Sequence, residues 1–148
     1  MNNISFARAK AADLERLYAI EIAAFTFPWS VQQLTDELQQ GFIWLIKSEI
    51  DILGFVVLHF VANECEILQI CIHPEMQCQG LGSKLLQFVL DKAKQKQCVS
   101  IFLEMRASDE RVRKFYQKLN FQPIARRKNY YRAADNSRED AVIMHLNI

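Results

Sequence analysis

Glycine and proline are scarce in this chain of 148 residues, with four of the first and three of the second. So few breakers leave no place for a flexible linker, and neither a repeat nor a low-complexity tract interrupts the sequence. Long hydrophobic runs are missing as well. The longest, Ile52 to Ala62, is broken by Gly54 and His59. It falls short of the roughly 18 residues that a membrane span requires and reads as a buried strand. The start, MNNISFARAK, has no apolar stretch behind its charges, so no secretory signal is expected. The cysteines (Cys65, Cys71, Cys78 and Cys98) include no C-x-x-C pair, and His59, His73 and His145 lie far apart. That spacing argues against zinc or any other metal. Reduced thiols in a soluble cytoplasmic protein, with no membrane partner, are the expectation.

Excess charge of one sign is also lacking, since the formal net charge is +1. Its distribution is uneven. Residues 1–75 carry four basic and ten acidic side chains, a net of −6, whereas residues 76–148 carry fourteen and seven, a net of +7. A basic half points to a polyanionic partner: a nucleic acid, a ribosomal surface or a polyphosphate cofactor. Lys92, Lys94 and Lys96 also fit a plain solvated helix face. No recognised nucleic-acid motif accompanies the asymmetry, so direct nucleic-acid readout is not expected.

What is present is a composition of 51% hydrophobic and 24% charged residues, enough for one globular domain over residues 1–148. ISFARA reads as a first strand. Leu14, Leu17, Tyr18, Ile22 and Phe25 recur at helical spacing over Ala12 to Phe25. Ser30 is placed to cap a second helix from Val31 to Gln40, which Gly41 ends. Strands follow at Phe42–Ser48, Ile52–Ala62 and Glu66–Ile72, joined closely enough for an antiparallel meander. A helix then reaches about Gln97 with Leu85, Val89 and Ala93 inward. Val99 to Arg106 is a strand, Asp109 to Leu119 a helix, and Phe121–Tyr131 and Ala141–Ile148 close the chain as strands. The order predicts an α+β, or mixed α/β, domain with a mainly antiparallel sheet and one parallel βαβ unit.

Two of the four glycines sit one residue apart in MQCQGLGSK, Met76 to Lys84. A nucleotide P-loop would need glycine where Gln77 stands, and a dinucleotide fingerprint would need a third glycine at Leu85. Both are excluded. Q-x-x-G-x-G between a strand and an amphipathic helix remains, with small residues that let the amides of Gln79 to Ser83 converge on an anion at a helix N-terminus.

That motif resembles the acyl-CoA pyrophosphate loop of the GCN5-related N-acetyltransferase (GNAT) superfamily. FPWS (Phe27 to Ser30), LEMRASD (Leu103 to Asp109), FYQKLNF (Phe115 to Phe121), RRKNYY (Arg126 to Tyr131) and REDAVIM (Arg138 to Met144) follow in order. Together they resemble the bacterial ribosomal-protein-alanine N-acetyltransferases of that superfamily over nearly the whole chain. The resemblance implies the GNAT fold and acetyl-CoA as co-substrate. It also implies acetylation of the N-terminal alanine amine of small-subunit ribosomal protein eighteen. Acetylation of another protein or small-molecule amine, and a CoA-binding or ribosome-associated module without turnover, are the alternatives.

Amide formation from a thioester needs a base for the ammonium, charge stabilisation at the carbonyl, and a donor for the thiolate. Glu104 interrupts the apolar strand VSIFLEM; by residue pattern it is either a cleft carboxylate or the partner of Arg106 on the same face. Tyr116 is either a core aromatic or, from the edge of its stripe, a proton donor. The resemblance implies that Glu104 is the general base and Tyr116 the general acid. ILQICIHP holds no charge for the carbonyl, so backbone amides must serve; the resemblance assigns Ile70, Cys71 and Ile72 to the acetyl and pantetheine groups. It likewise assigns Gln77, Cys78, Gln79, Gly80, Leu81, Gly82 and Ser83 to the pyrophosphate. Cys71 as a nucleophile lacks a histidine partner, and a small buried side chain fits it better. Asp109 stands where the family has a cofactor-contacting Asn, and it could instead cap the helix. Trp29, Tyr130 and Tyr131 are candidates for an acceptor groove, against a core plug and an exposed hairpin.

Overall fold

A computed structural model of the protein describes residues 3–148; the first two positions of MNNISFARAK lie outside the described residues. The chain runs β1 (Ser5–Arg8), α1 (Leu14–Ala24), α2 (Val31–Gln40), β2 (Ile43–Lys47), β3 (Ile52–Val61) and β4 (Glu64–Ile72). It continues through α3 (Leu81–Gln95), β5 (Ser100–Arg106), α4 (Glu110–Lys118), β6 (Gln122–Arg132) and β7 (Arg138–Asn147). Among the described residues, seven strands share one sheet in the order β1-β2-β3-β4-β5-β7-β6. The β1–β2, β2–β3, β5–β7 and β6–β7 pairs are antiparallel, and β4–β5 is parallel. The fold is the expected mixed α/β one, with β4–α3–β5 as its parallel unit. No helix of the described residues is long and apolar enough to cross a membrane.

Local chemistry sets the boundaries. At α2 the Ser30 hydroxyl accepts from the Gln33 amide at 3.1 Å, and the Gln33 side chain accepts from the Ser30 amide at 2.9 Å. This reciprocal cap and the left-handed Gly41 (φ 76°) fix both ends of the helix. α1 begins later than its periodicity predicts. Asp13 accepts from the Lys10 amide at 2.8 Å and holds Ala11–Asp13 in a 3-10 turn before the helix proper. β4 starts at Glu64 rather than Glu66, because Glu64 and Cys65 already pair with Ser100 and Ile101.

The residues group into two compact units. The first takes the chain through His59 together with Leu68–Lys92. Its core joins Leu17 and Ile20 of α1, Leu34 of α2, Ile43 and Leu45 of β2, Phe55 and Val57 of β3, and Cys71. Each large aliphatic there is worth about 1.5–3 kcal/mol of transfer free energy. Leu85, Leu86 and Val89 of α3 are also buried, as their spacing predicts. Lys92 is less freely solvated than expected, because its ammonium lies over the Trp44 ring at 5.8 Å and the Phe88 ring at 5.4 Å. Gly54 lets two backbones approach: a Cβ there would press on the Cys71 carbonyl oxygen and stand 3.0 Å from the Ile72 Cα.

The second unit comprises Phe60–Ile67 and Ala93–Ile148. β5 alternates cleanly, with Ile101, Leu103 and Met105 buried and Phe102, Glu104 and Arg106 half-buried on the opposite face. β7 supplies Ala141, Val142 and Met144 to the interior, and Phe121 closes the end of α4.

Candidate active site

In the first unit, the glycine-containing turn is shaped by two left-handed residues, Cys78 (φ 62°) and Gly80 (φ 79°), directly before α3. Alternation of left- and right-handed residues turns successive amides toward one side, the geometry that binds anions. A Cβ on Gly80 would meet nothing within 4 Å, so open space borders the turn. The Lys84 amide bonds the Gly80 carbonyl at 3.1 Å and begins the helix, whose N-terminus adds a positive partial charge. Leu81 is buried while Gln79, Gly80 and Ser83 are exposed, so Leu81 offers its amide rather than its side chain. Gln77 donates to the Ile72 carbonyl at 3.0 Å and ties the turn to the end of β4. These features suit a pyrophosphate.

Ile70, Cys71 and Ile72 form the end of β4. Cys71 is buried, and burial pushes its thiol well above its ordinary value, with Glu21 adding to the effect. A thiol held neutral is a poor nucleophile. Trp29 lies in the segment between α1 and α2, half-buried against the first unit's core.

In the second unit, the face of β5 that carries Glu104 looks different from expectation. Arg106 lies on that face, but it donates to Glu139 at 2.9 Å and to the Arg132 carbonyl at 2.9 Å. The partner of Glu104 is Arg127 of β6, with Nη1 2.8 Å from Oε1. Glu104 lies opposite Ile143 of β7, and Arg127 lies opposite Ala141 on the other edge of the same strand. The pair therefore reaches across an intervening strand. Glu104 raises the Arg127 pKa through the hydrogen bond and its charge. Among the described residues, none donates a hydrogen bond to Glu104 Oε2.

The Arg127 guanidinium also covers the Tyr130 ring at 4.6 Å, and Arg106 covers Tyr131 at 4.7 Å. The two tyrosines meet edge to face at 4.9 Å. Burial, then the Glu104 charge, pushes the Tyr131 phenol up to about 12. The structure thus brings Glu104 and Tyr130 to Arg127, a cation that sequence reasoning did not single out, with Tyr131 against Tyr130 and under Arg106. RRKNYY contains Arg127, but no periodicity shows which arginine reaches past β7.

Tyr116 is not at the edge of its stripe. It is the buried residue of α4, 4% exposed, while Val112, Phe115 and Leu119 are half-buried. Phe121 causes this: its amide bonds the Tyr116 carbonyl at 3.1 Å, and its ring folds back to 5.4 Å from the phenol ring. Burial raises the phenol pKa far above its usual 10, and the Asp109 charge adds to that. Asp109 caps α4, accepting from the Val112 amide at 3.2 Å.

The sequence profile described as the acetyltransferase (GNAT) family matches residues 14–121. The chain belongs to that family. As a GNAT protein it is 32% identical to the "[ribosomal protein bS18]-alanine N-acetyltransferase" of Escherichia coli (strain K12), over 100% of this chain and 99% of the relative. The crystal structure of the ribosomal-protein-S18-alanine N-acetyltransferase from Escherichia coli superposes with a TM-score of 0.91 at 30% identity. That match covers 98% of this chain and 94% of the other. A GNAT family acetyltransferase from Elizabethkingia anophelis, solved with acetyl-CoA bound, shares the fold at a TM-score of 0.83 and 24% identity, each chain covered completely.

Proposed function

We propose that this acetyltransferase moves the acetyl group of acetyl-CoA directly onto the N-terminal α-amine of a protein chain beginning with alanine, ribosomal protein bS18 being the acceptor. The observation that carries this reading is the similarity to the Escherichia coli relative of that name, which spans both chains from end to end.

Acetyl-CoA supplies an activated acetyl thioester. The turn from Gln77 to Ser83 holds its pyrophosphate with backbone amides, and the amides of Ile70, Cys71 and Ile72 meet the carbonyl oxygen as charge develops there. Glu104 takes a proton from the acceptor ammonium, directly or through water, through the oxygen that Arg127 leaves open. The amine nitrogen forms the new N–C bond as the C–S bond breaks, and the second proton that the nitrogen must lose passes to solvent water. Tyr116 meets the departing thiolate. A phenol held neutral by burial is a hydrogen-bond donor at any working pH, and full proton transfer to a thiolate is more uphill than an unburied phenol would make it. Donation of the hydrogen bond therefore precedes transfer of the proton. Asp109 acts on this side as the cap of α4, and Trp29, Tyr130 and Tyr131 wall the acceptor.

A thiol-release assay with acetyl-CoA tests the reading. Release with peptides beginning in alanine, and not with polyamines, is expected. Absence of release with any amine would end the enzyme reading, and release with polyamines alone would end the N-terminal one. Tyr116→Phe should slow turnover about 10- to 100-fold while acetyl-CoA binds as before by calorimetry.

A further inference from the structure

Glu21 is a carboxylate with no exposed surface, lying in α1 of the first unit. No arginine, lysine or histidine pairs with it among the described residues' ion pairs. Instead it accepts from two donor groups, one of them reaching both of its oxygens. The Trp29 amide reaches Oε2 at 2.9 Å, and the Gln69 side-chain amide reaches Oε1 at 3.0 Å and Oε2 at 2.8 Å. Its own backbone carbonyl accepts from the Phe25 amide at 3.1 Å. The segment from Phe25 to Trp29 therefore leaves α1 after Ala24 and is fastened back to the Glu21 side chain before α2 begins. Gln69 belongs to β4, directly before Ile70, Cys71 and Ile72. One side chain thus joins the segment bearing Trp29 to the strand assigned to the acetyl carbonyl.

A carboxylate suits this junction for a chemical reason. It offers only acceptors, so it takes an N–H from each side at once; a glutamine would present its own NH₂ to one of them. Its burial is unfavourable by itself. Desolvation raises the Glu21 pKa, and the two hydrogen bonds only partly offset that. Stability alone would favour an apolar side chain at this buried position.

We propose that Glu21 is a positioning residue for acetyl transfer, which sets the Trp29 segment, as acceptor wall, against the Gln69–Ile72 strand, as acetyl-binding edge. The proposal rests on the function reading above, with Trp29 facing the acceptor. Glu21 touches neither reactant. It fixes the distance between the two backbone stretches that do.

Steady-state kinetics with an alanine-initiated peptide and acetyl-CoA, together with amide hydrogen exchange at Trp29, provides the test. Glu21→Gln should raise the peptide KM about tenfold, the value of one hydrogen bond to a charged group, and leave the acetyl-CoA KM within about twofold. Exchange of the Trp29 amide should speed up by about the same tenfold factor. The exchanged pair Glu21→Gln with Gln69→Glu restores acceptor and donors in reversed order and should recover both values. Gln69→Met keeps the Trp29 bond but cuts the tie to β4, and it should raise the peptide KM in the same direction. It also decides the matter if Glu21→Gln does not fold. Equal changes in both KM values, or an unchanged peptide KM in an active enzyme, would overturn the proposal alone. A wild-type enzyme inactive on every alanine-initiated peptide would overturn the function reading and the proposal with it.

Discussion

Glu21 and Glu104, one in each compact unit, show two ways of placing a carboxylate. Glu21 has no exposed surface and is answered only by amides. Glu104 sits half-buried on a strand face, answered by an exposed guanidinium that also stacks on a tyrosine. The first arrangement suits a group that must not move or react. The second suits one that must exchange protons with a ligand arriving from solvent. The difference extends to the surroundings. The first unit relies on tight backbone approaches such as Gly54 against Cys71, whereas the second carries a network of charges and rings on β5, β6 and β7.

The strongest break between the two should come from Glu104→Gln. Turnover is expected to fall about 10²–10⁴-fold, with the melting temperature nearly unchanged, because a half-exposed pair contributes little to stability. A stable variant of undiminished rate would remove Glu104 from the chemistry. Gly54→Ala should do the reverse, since the added methyl group would press on the Cys71 carbonyl. A loss of about 1–3 kcal/mol is expected from such overpacking. A midpoint of denaturant unfolding equal to the wild type would show that β3 and β4 separate freely there.

Alkaline pH sharpens the contrast in another way. Burial holds the Cys65 thiol up from its ordinary 9.0 to about 12. A raised folded pKa means that the unfolded chain loses its proton first. The stability this thiol contributes is present below about pH 9 and is lost as pH rises from there through about 12. Cys65→Ala should flatten that part of a pH–melting curve, and an unchanged slope would count against it. The smallest effect belongs to Arg127→Gln. Stability should stay within about 0.5 kcal/mol, and turnover should drop only several-fold, because Glu104 keeps its place on β5 but loses its anchor.

Cap and stop residues made α2 legible to the residue, since Ser30 and Gly41 are local signals whose effect is complete within one helix. The stripe of α3 and the alternation of β5 were legible for the same reason. Three features were not. Tyr116 is buried by Phe121, which lies beyond the end of the helix. Glu104 is paired across a strand that follows it by more than thirty residues in the chain. Gly54 looked like a mere interruption of an apolar run, because its use depends on β4 passing beside it. In each case the deciding partner is distant in sequence, where no period reaches. The Glu21 junction has the same character, tying residues 21, 29 and 69 together.

Cys78 has a practical consequence of its own. It is the exposed thiol of the four cysteines, with Cys65, Cys71 and Cys98 buried, and it stands in the left-handed bend before α3. Under native conditions a maleimide dye should therefore mark one position per chain, and after unfolding four. The wild-type protein comes with its own single attachment point for a fluorophore, located on the turn whose occupancy an experimenter would most want to watch.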